Sequence, residues 1–167
     1  PKVSHGITHV HHFYTRRNLW VLAAFRQKCE ISPLSRRMQW ILTGIDAISS
    51  RLLNFRISGS GKPTPLKGTL YVSSVYPELN VLNMFSNKYH LRMRPIVNRL
   101  SGIRVIDTRS STDHADYKDS SVDYIFTDPP FGGNLMYSEL NFLWEAWLRV
   151  FTNNKPEAVE NKVQGKG

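Results

Sequence analysis

The chain has 167 residues and sets 22 Lys and Arg against 13 Asp and Glu, a formal charge of +9. A hydrophobic content of 41% with 11% aromatics excludes a disordered basic tail and suffices for one domain-sized core. The single cysteine, Cys29, excludes an intramolecular disulfide and a Cys-rich zinc ribbon within these residues. No apolar run reaches the roughly 20 residues of a membrane span and no signal-peptide pattern opens the chain, so a cytoplasmic location without membrane contact is expected. The basic excess suits a polyanionic partner.

Residues 1–17 hold His5, His9, His11 and His12, followed by Tyr14, Arg16 and Arg17. No regular spacing gathers three of these imidazoles, and no carboxylate or thiol stands close in sequence to complete a shell, so no metal site is expected. Arg16 and Arg17, with Phe13 and Tyr14 just before a helix, are suited to meet a phosphate or a base. A helix start with a solvated basic face explains them equally well. Asn18 reads as the N-cap of a helix reaching Cys29, with Leu19, Leu22, Ala23 and Phe25 in register. Pro33 suits the first position of a second helix over 34–53. Its stripe of Met38, Ile41, Leu42, Ile45, Ile48 and Leu52 reads as core. The basic stretch 56–68 reads as a surface loop, and Gly59-Ser60-Gly61-Lys62 lacks the spacing of a nucleotide-binding phosphate loop.

Residues 69–72 read as a strand and 78–89 as a helix, after which Arg92, Arg94 and Arg99 concentrate positive charge. The run 103–107 reads as a second strand ending in Asp107, and 112–121 as a polar crossover. Val122, Tyr124, Ile125 and Phe126 mark a third, buried strand. It stops at Asp128-Pro129-Pro130, since two successive prolines offer no backbone N–H to a ladder. Gly132 and Gly133 then let the chain bend. A helix capped by Asn134 or Ser138 runs to about residue 150, with Leu140, Leu143, Trp144, Trp147 and Leu148 on one face. Trp144 and Trp147 read as core or domain interface rather than a base-stacking platform, whereas Tyr137 and Ser138, nearer the turn, are candidates to touch a target nucleotide.

The turn after the third strand suits one chemistry. An exocyclic amine such as that of adenine is a poor nucleophile because its lone pair is delocalised into the ring. Fixed acceptors in the plane of the amine draw that lone pair out. Asp128 can supply a carboxylate oxygen and Pro129 a carbonyl, held by a proline-stiffened backbone without reorganisation during reaction. Phe131 can stack on a base flipped from the duplex.

Asp128-Pro129-Pro130-Phe131 after a strand resembles the catalytic motif of the amino-group (N6-adenine and N4-cytosine) DNA methyltransferases. The wider run 127–148 resembles a bacterial subset of these, the site-specific adenine methylases, and the opening 6–19 is similar to a segment between their cofactor and catalytic motifs. The resemblance implies an α/β fold, part of a Rossmann-like class I methyltransferase sheet, with an α-helical N-terminal segment. Residues 1–68 would then be a helical, basic, DNA-contacting insertion and 69–167 a partial catalytic region. It implies S-adenosylmethionine as cofactor, with Asp107, Thr127 and Asp128 beside it, and Asp128, Pro129, Pro130 and Phe131 as catalytic residues. Arg16, Arg17, Tyr137 and Ser138 would face duplex DNA carrying a flipped adenine. No Phe-x-Gly-x-Gly-type turn follows a strand here. The expectation is therefore an internal piece of a longer enzyme whose upstream part carries the glycine-rich cofactor turn. Two alternatives stay open: a basic nucleic-acid-binding module without chemistry, and methylation of a guanine amine in RNA.

Overall fold

A computed structural model describes residues 6–55, 63–92, 117–128, 132–133, 135–155 and 159–166. Helix α1 spans Arg16–Glu30 and begins where the Thr15 hydroxyl accepts from the Asn18 amide, supplying a partner to one of the first-turn N–H groups that a helix leaves open. Asn18 is thus not the N-cap. It lies in the first turn, buried, and its carboxamide donates to the backbone oxygens of Ser49 and Leu79, 3.0 and 3.2 Å away. One side chain thereby ties α1 to two distant segments.

Helix α2, Ser35–Asp46, starts after Pro33 rather than at it and ends in a 3-10 turn, Ala47–Ser49, so the helix expected over 34–53 is shorter. Helix α3, Val81–Arg92, opens where the Asn80 side chain accepts from the amides of Leu82 and Asn83. Helix α4 covers Tyr137–Leu148 and takes Ser138 into its first turn. The core they enclose centres on Leu22, Leu42, Ile45 and Leu143, each almost fully buried, with Phe13, Tyr14, Leu52 and Val81 around it. Each such aliphatic side chain contributes about 1.5–3 kcal/mol of transfer free energy.

Although α4 is far away in sequence, it belongs to the same compact unit as the first three helices. Trp144 Nε1 donates to the Thr43 carbonyl at 3.0 Å, and Trp147 Nε1 to the Tyr14 hydroxyl at 2.8 Å. Both indoles pack against the core, as their helical spacing predicts. The chain divides into this helical unit, Pro1–Pro95 with Tyr137–Thr152, and a second unit, Ile96–Met136 with Asn153–Gly167.

The expected α/β sheet is not what the described residues form. They are predominantly helical, with no sheet, and carry only the isolated bridges Leu53–Pro65 and Asn161–Lys166. The Rossmann-like assignment is therefore corrected. In the stretch 69–72, Leu70 and Val72 pack on the helical core and pair with no strand. Residues 122–126 are neither buried nor paired, and Tyr124, Ile125 and Phe126 are 74–82% exposed. An apolar, β-branched run states a demand for burial without naming the partner that meets it. Most of the fully buried side chains, Leu22, Cys29, Ile41, Leu42, Ile45 and Leu143 among them, are on helices. The strand expected at 103–107 and the loop over 56–62 lie outside the described residues.

In the second unit, a turn at 117–121 places Ser120 at a left-handed φ of 59°. Farther on, Asn154 donates to Gln164 at 3.0 Å, beside a short 3-10 turn, Lys162–Gln164.

Candidate functional site

Of the turn read as catalytic, Thr127 and Asp128 are described and both are exposed. Pro129, Pro130, Phe131 and Asp107 lie outside the described residues. Beyond the prolines, Gly132 takes φ 47°, a left-handed conformation that a side chain would strain. The Gly132 carbonyl accepts from the Glu160 amide at 3.2 Å, so the bend is tied to a segment 28 positions on (160 − 132). The Glu160 carboxyl lies close to where a Cβ on Gly132 or Gly133 would stand. Nothing in the sequence pointed to Glu160, because a backbone tie leaves no trace in residue type.

A second feature lies within the helical unit. Gly6, Ile7, His11, His12, Tyr14, Arg16, Leu19, Arg51 and 72–74 line a cavity of about 680 Å³. Two arginines, two histidines and two serines stand in its lining, the Ser73 hydroxyl engaged by the Leu53 carbonyl and Asn54, and none of its lining residues is acidic. The rings of His11 and His12 meet edge to face at 4.3 Å. His12 Nδ1 accepts from the Thr8 amide at 3.3 Å, which leaves its Nε2 to carry the proton in the neutral ring.

Arg51 is held firmly at the cavity wall. Its amide donates to the Phe13 carbonyl at 2.7 Å, one terminal nitrogen donates to the His12 carbonyl at 3.2 Å, and the guanidinium lies 5.0 Å from the centre of the Tyr76 ring. Its Nε is shut off from solvent without a partner.

The two arginines read as nucleic-acid contacts part company. Arg16 is exposed and lines the cavity. Arg17 pairs with Glu78 at 3.0 Å, and Glu78 also accepts from Thr15. Tyr137 and Ser138 sit at the start of α4, the first exposed and the second half-buried. They belong to the helical unit and Asp128 to the second. Sequence reasoning missed Arg51 as a lining residue; the nearby basic and histidine-rich segment gave only the charge.

Behind the cavity wall lies a buried polar chain. The Tyr14 hydroxyl donates to Asp46 Oδ1 and accepts from Trp147 Nε1, while Asp46 Oδ2 has no partner. Burial pushes the Asp46 carboxyl up to about 7, against the opposing effect of its hydrogen bonds. Burial and the neighbouring Asp46 charge push the Tyr14 phenol well above its ordinary value. The Cys29 thiol, buried on α1, is likewise raised by desolvation.

No protein-family model, curated protein or solved structure matches this chain.

Proposed function

We propose that this chain is part of an S-adenosylmethionine-dependent DNA methyltransferase acting on the exocyclic N6 amine of a flipped adenine in the cytoplasm. The observation that carries the reading is Asp128-Pro129-Pro130-Phe131 itself, set between an apolar run and a glycine bend. The exposed Asp128 and the left-handed Gly132 are compatible with a substrate-facing turn. The net charge of +9 favours a polyanionic substrate. No helix among the described residues is long and apolar enough to cross a membrane.

In this reading the Asp128 carboxylate and the Pro129 carbonyl accept from the adenine amine and draw its lone pair out of the ring. Phe131 stacks on the extruded base. Positioning of the amine carries most of the acceleration these residues contribute. The methyl group would come from S-adenosylmethionine, with Asp107, Thr127 and Asp128 beside it. Calorimetric titration with S-adenosylhomocysteine therefore tests the reading on two samples, this chain and the same chain extended upstream. Binding by the extended chain is expected, and silence in both samples contradicts it.

A second reading is favoured by the helical architecture with its basic cavity: a nucleic-acid-binding module without chemistry. It differs in requiring no cofactor and in leaving affinity indifferent to Asp128. Within the enzymatic reading, methylation of a guanine amine in RNA is separated by competition between duplex DNA and structured RNA.

A further inference from the structure

We infer that the cavity lined by Arg16, Arg51, His11, His12, Tyr14 and Ser74 is a binding site for one nucleotide unit, with its phosphate on the arginine side. The inference rests on the nucleic-acid side of the proposed function and adds to it a site distinct from the turn at Asp128. Volume gives the first support: about 680 Å³ falls within the range of small-ligand pockets and can take a phosphate with its sugar and base.

Charge gives the second. The lining offers cationic and neutral donors with no carboxylate to compete for them. The nearest buried acid, Asp46, lies behind Tyr14 and is engaged by its hydroxyl. The nearby acid Glu78 is engaged by Arg17 and Thr15. Arg16, by contrast, is exposed at the cavity.

The third support is a guanidinium already in place. Arg51 is fixed by the His12 carbonyl and the Tyr76 ring. A guanidinium ordered before binding loses little freedom when it engages an oxyanion. Ile7, Leu19 and Val72 supply the apolar part of the lining against which a sugar or base can rest.

The phosphate can belong to a nucleic-acid strand or to a free nucleotide. The test therefore titrates the whole chain with a labelled oligonucleotide, single-stranded and duplex, and separately with deoxyadenosine monophosphate. The variants are Arg16→Gln and Ser74→Asp, both at exposed positions, with Lys28→Gln as a matched charge loss on α1 outside the cavity. Circular dichroism controls for folding.

Arg16→Gln is expected to weaken binding roughly tenfold, as loss of one charge-assisted contact does. It should also lower the salt dependence of strand binding by about one phosphate contact. Ser74→Asp should weaken binding at least as much, and Lys28→Gln should leave it near wild type. Binding of the mononucleotide alone assigns the site to free nucleotides; binding of the strand assigns it to backbone phosphate. Equal weakening by Lys28→Gln, unchanged binding by Arg16→Gln and Ser74→Asp, or no binding of either ligand by the wild type overturns the inference. Methyl transfer dependent on Asp128 reports on the proposed function separately, so either can fail without the other.

Discussion

The Tyr14 hydroxyl donates to the Asp46 carboxyl inside the helical unit, and the indole N–H of Trp147 completes the chain by donating to Tyr14. Three elements meet there: the segment before α1, the last residue of α2 and the last turn of α4. A buried carboxyl with one oxygen unpartnered is costly when charged. For that reason its proton is held up to about pH 7.

Stability should therefore depend on pH through Asp46. Its carboxyl is raised from 3.8 to about 7 on folding. Between those values the folded protein keeps a proton that the unfolded chain has released. The contribution of Asp46 to stability is then greatest below about pH 4, falls as pH rises toward 7, and levels off above it. Asp46→Asn removes this titration and keeps an acceptor for Tyr14. Thermal melting across this range should show a flatter profile for the variant. Above neutral pH it should exceed wild type by a few kcal/mol, to order of magnitude. Parallel profiles for the two proteins contradict the assignment.

Tyr14→Phe deletes the donor to Asp46 and the acceptor for Trp147 together. A loss of about 1–3 kcal/mol is expected from the two buried partners left unpaired. The loss should be larger at pH 8 than at pH 5, because the carboxyl left behind is charged at the higher pH. Denaturant titration at the two pH values reads this directly.

Asn18→Ala should cost about 2 kcal/mol, since the carboxamide bridges the Ser49 and Leu79 carbonyls in a buried position. Thr15→Ala removes the N-cap of α1 and should cost about 1 kcal/mol. Equal costs from the two substitutions contradict the view that Asn18 fastens three segments from a buried position while Thr15 caps α1 and bonds Glu78 at the surface.

What could be read in the sequence was the set of helices and their apolar faces. Leu22, Leu42, Ile45 and Leu143 each belong to the apolar face of their own helix, and each is at the centre of the core. The start of α1 was misread by three residues because both Thr15 and Asn18 are good capping types. Only the tertiary demand of the Ser49 and Leu79 carbonyls decides between them. The sheet was misread because 122–126 has a strand's composition, and composition says nothing about whether a neighbouring strand exists. In the candidate sites, Arg16 was recognisable beside its aromatic neighbours. The roles of Arg51 and Asp46 depend on burial and partners 39 and 32 positions away, which no local pattern encodes.

Substitution at Asp128 should separate chemistry from folding. The residue is exposed, so Asp128→Ala is expected to shift stability by less than about 0.5 kcal/mol. The decisive measurement is transfer of a labelled methyl group from S-adenosylmethionine to duplex DNA by this chain extended upstream, with and without that substitution. The expected result is N6-methyladenine from the wild type and a loss of about a hundredfold or more in the variant. Undiminished methylation by Asp128→Ala, or no transfer by the wild type, contradicts the account.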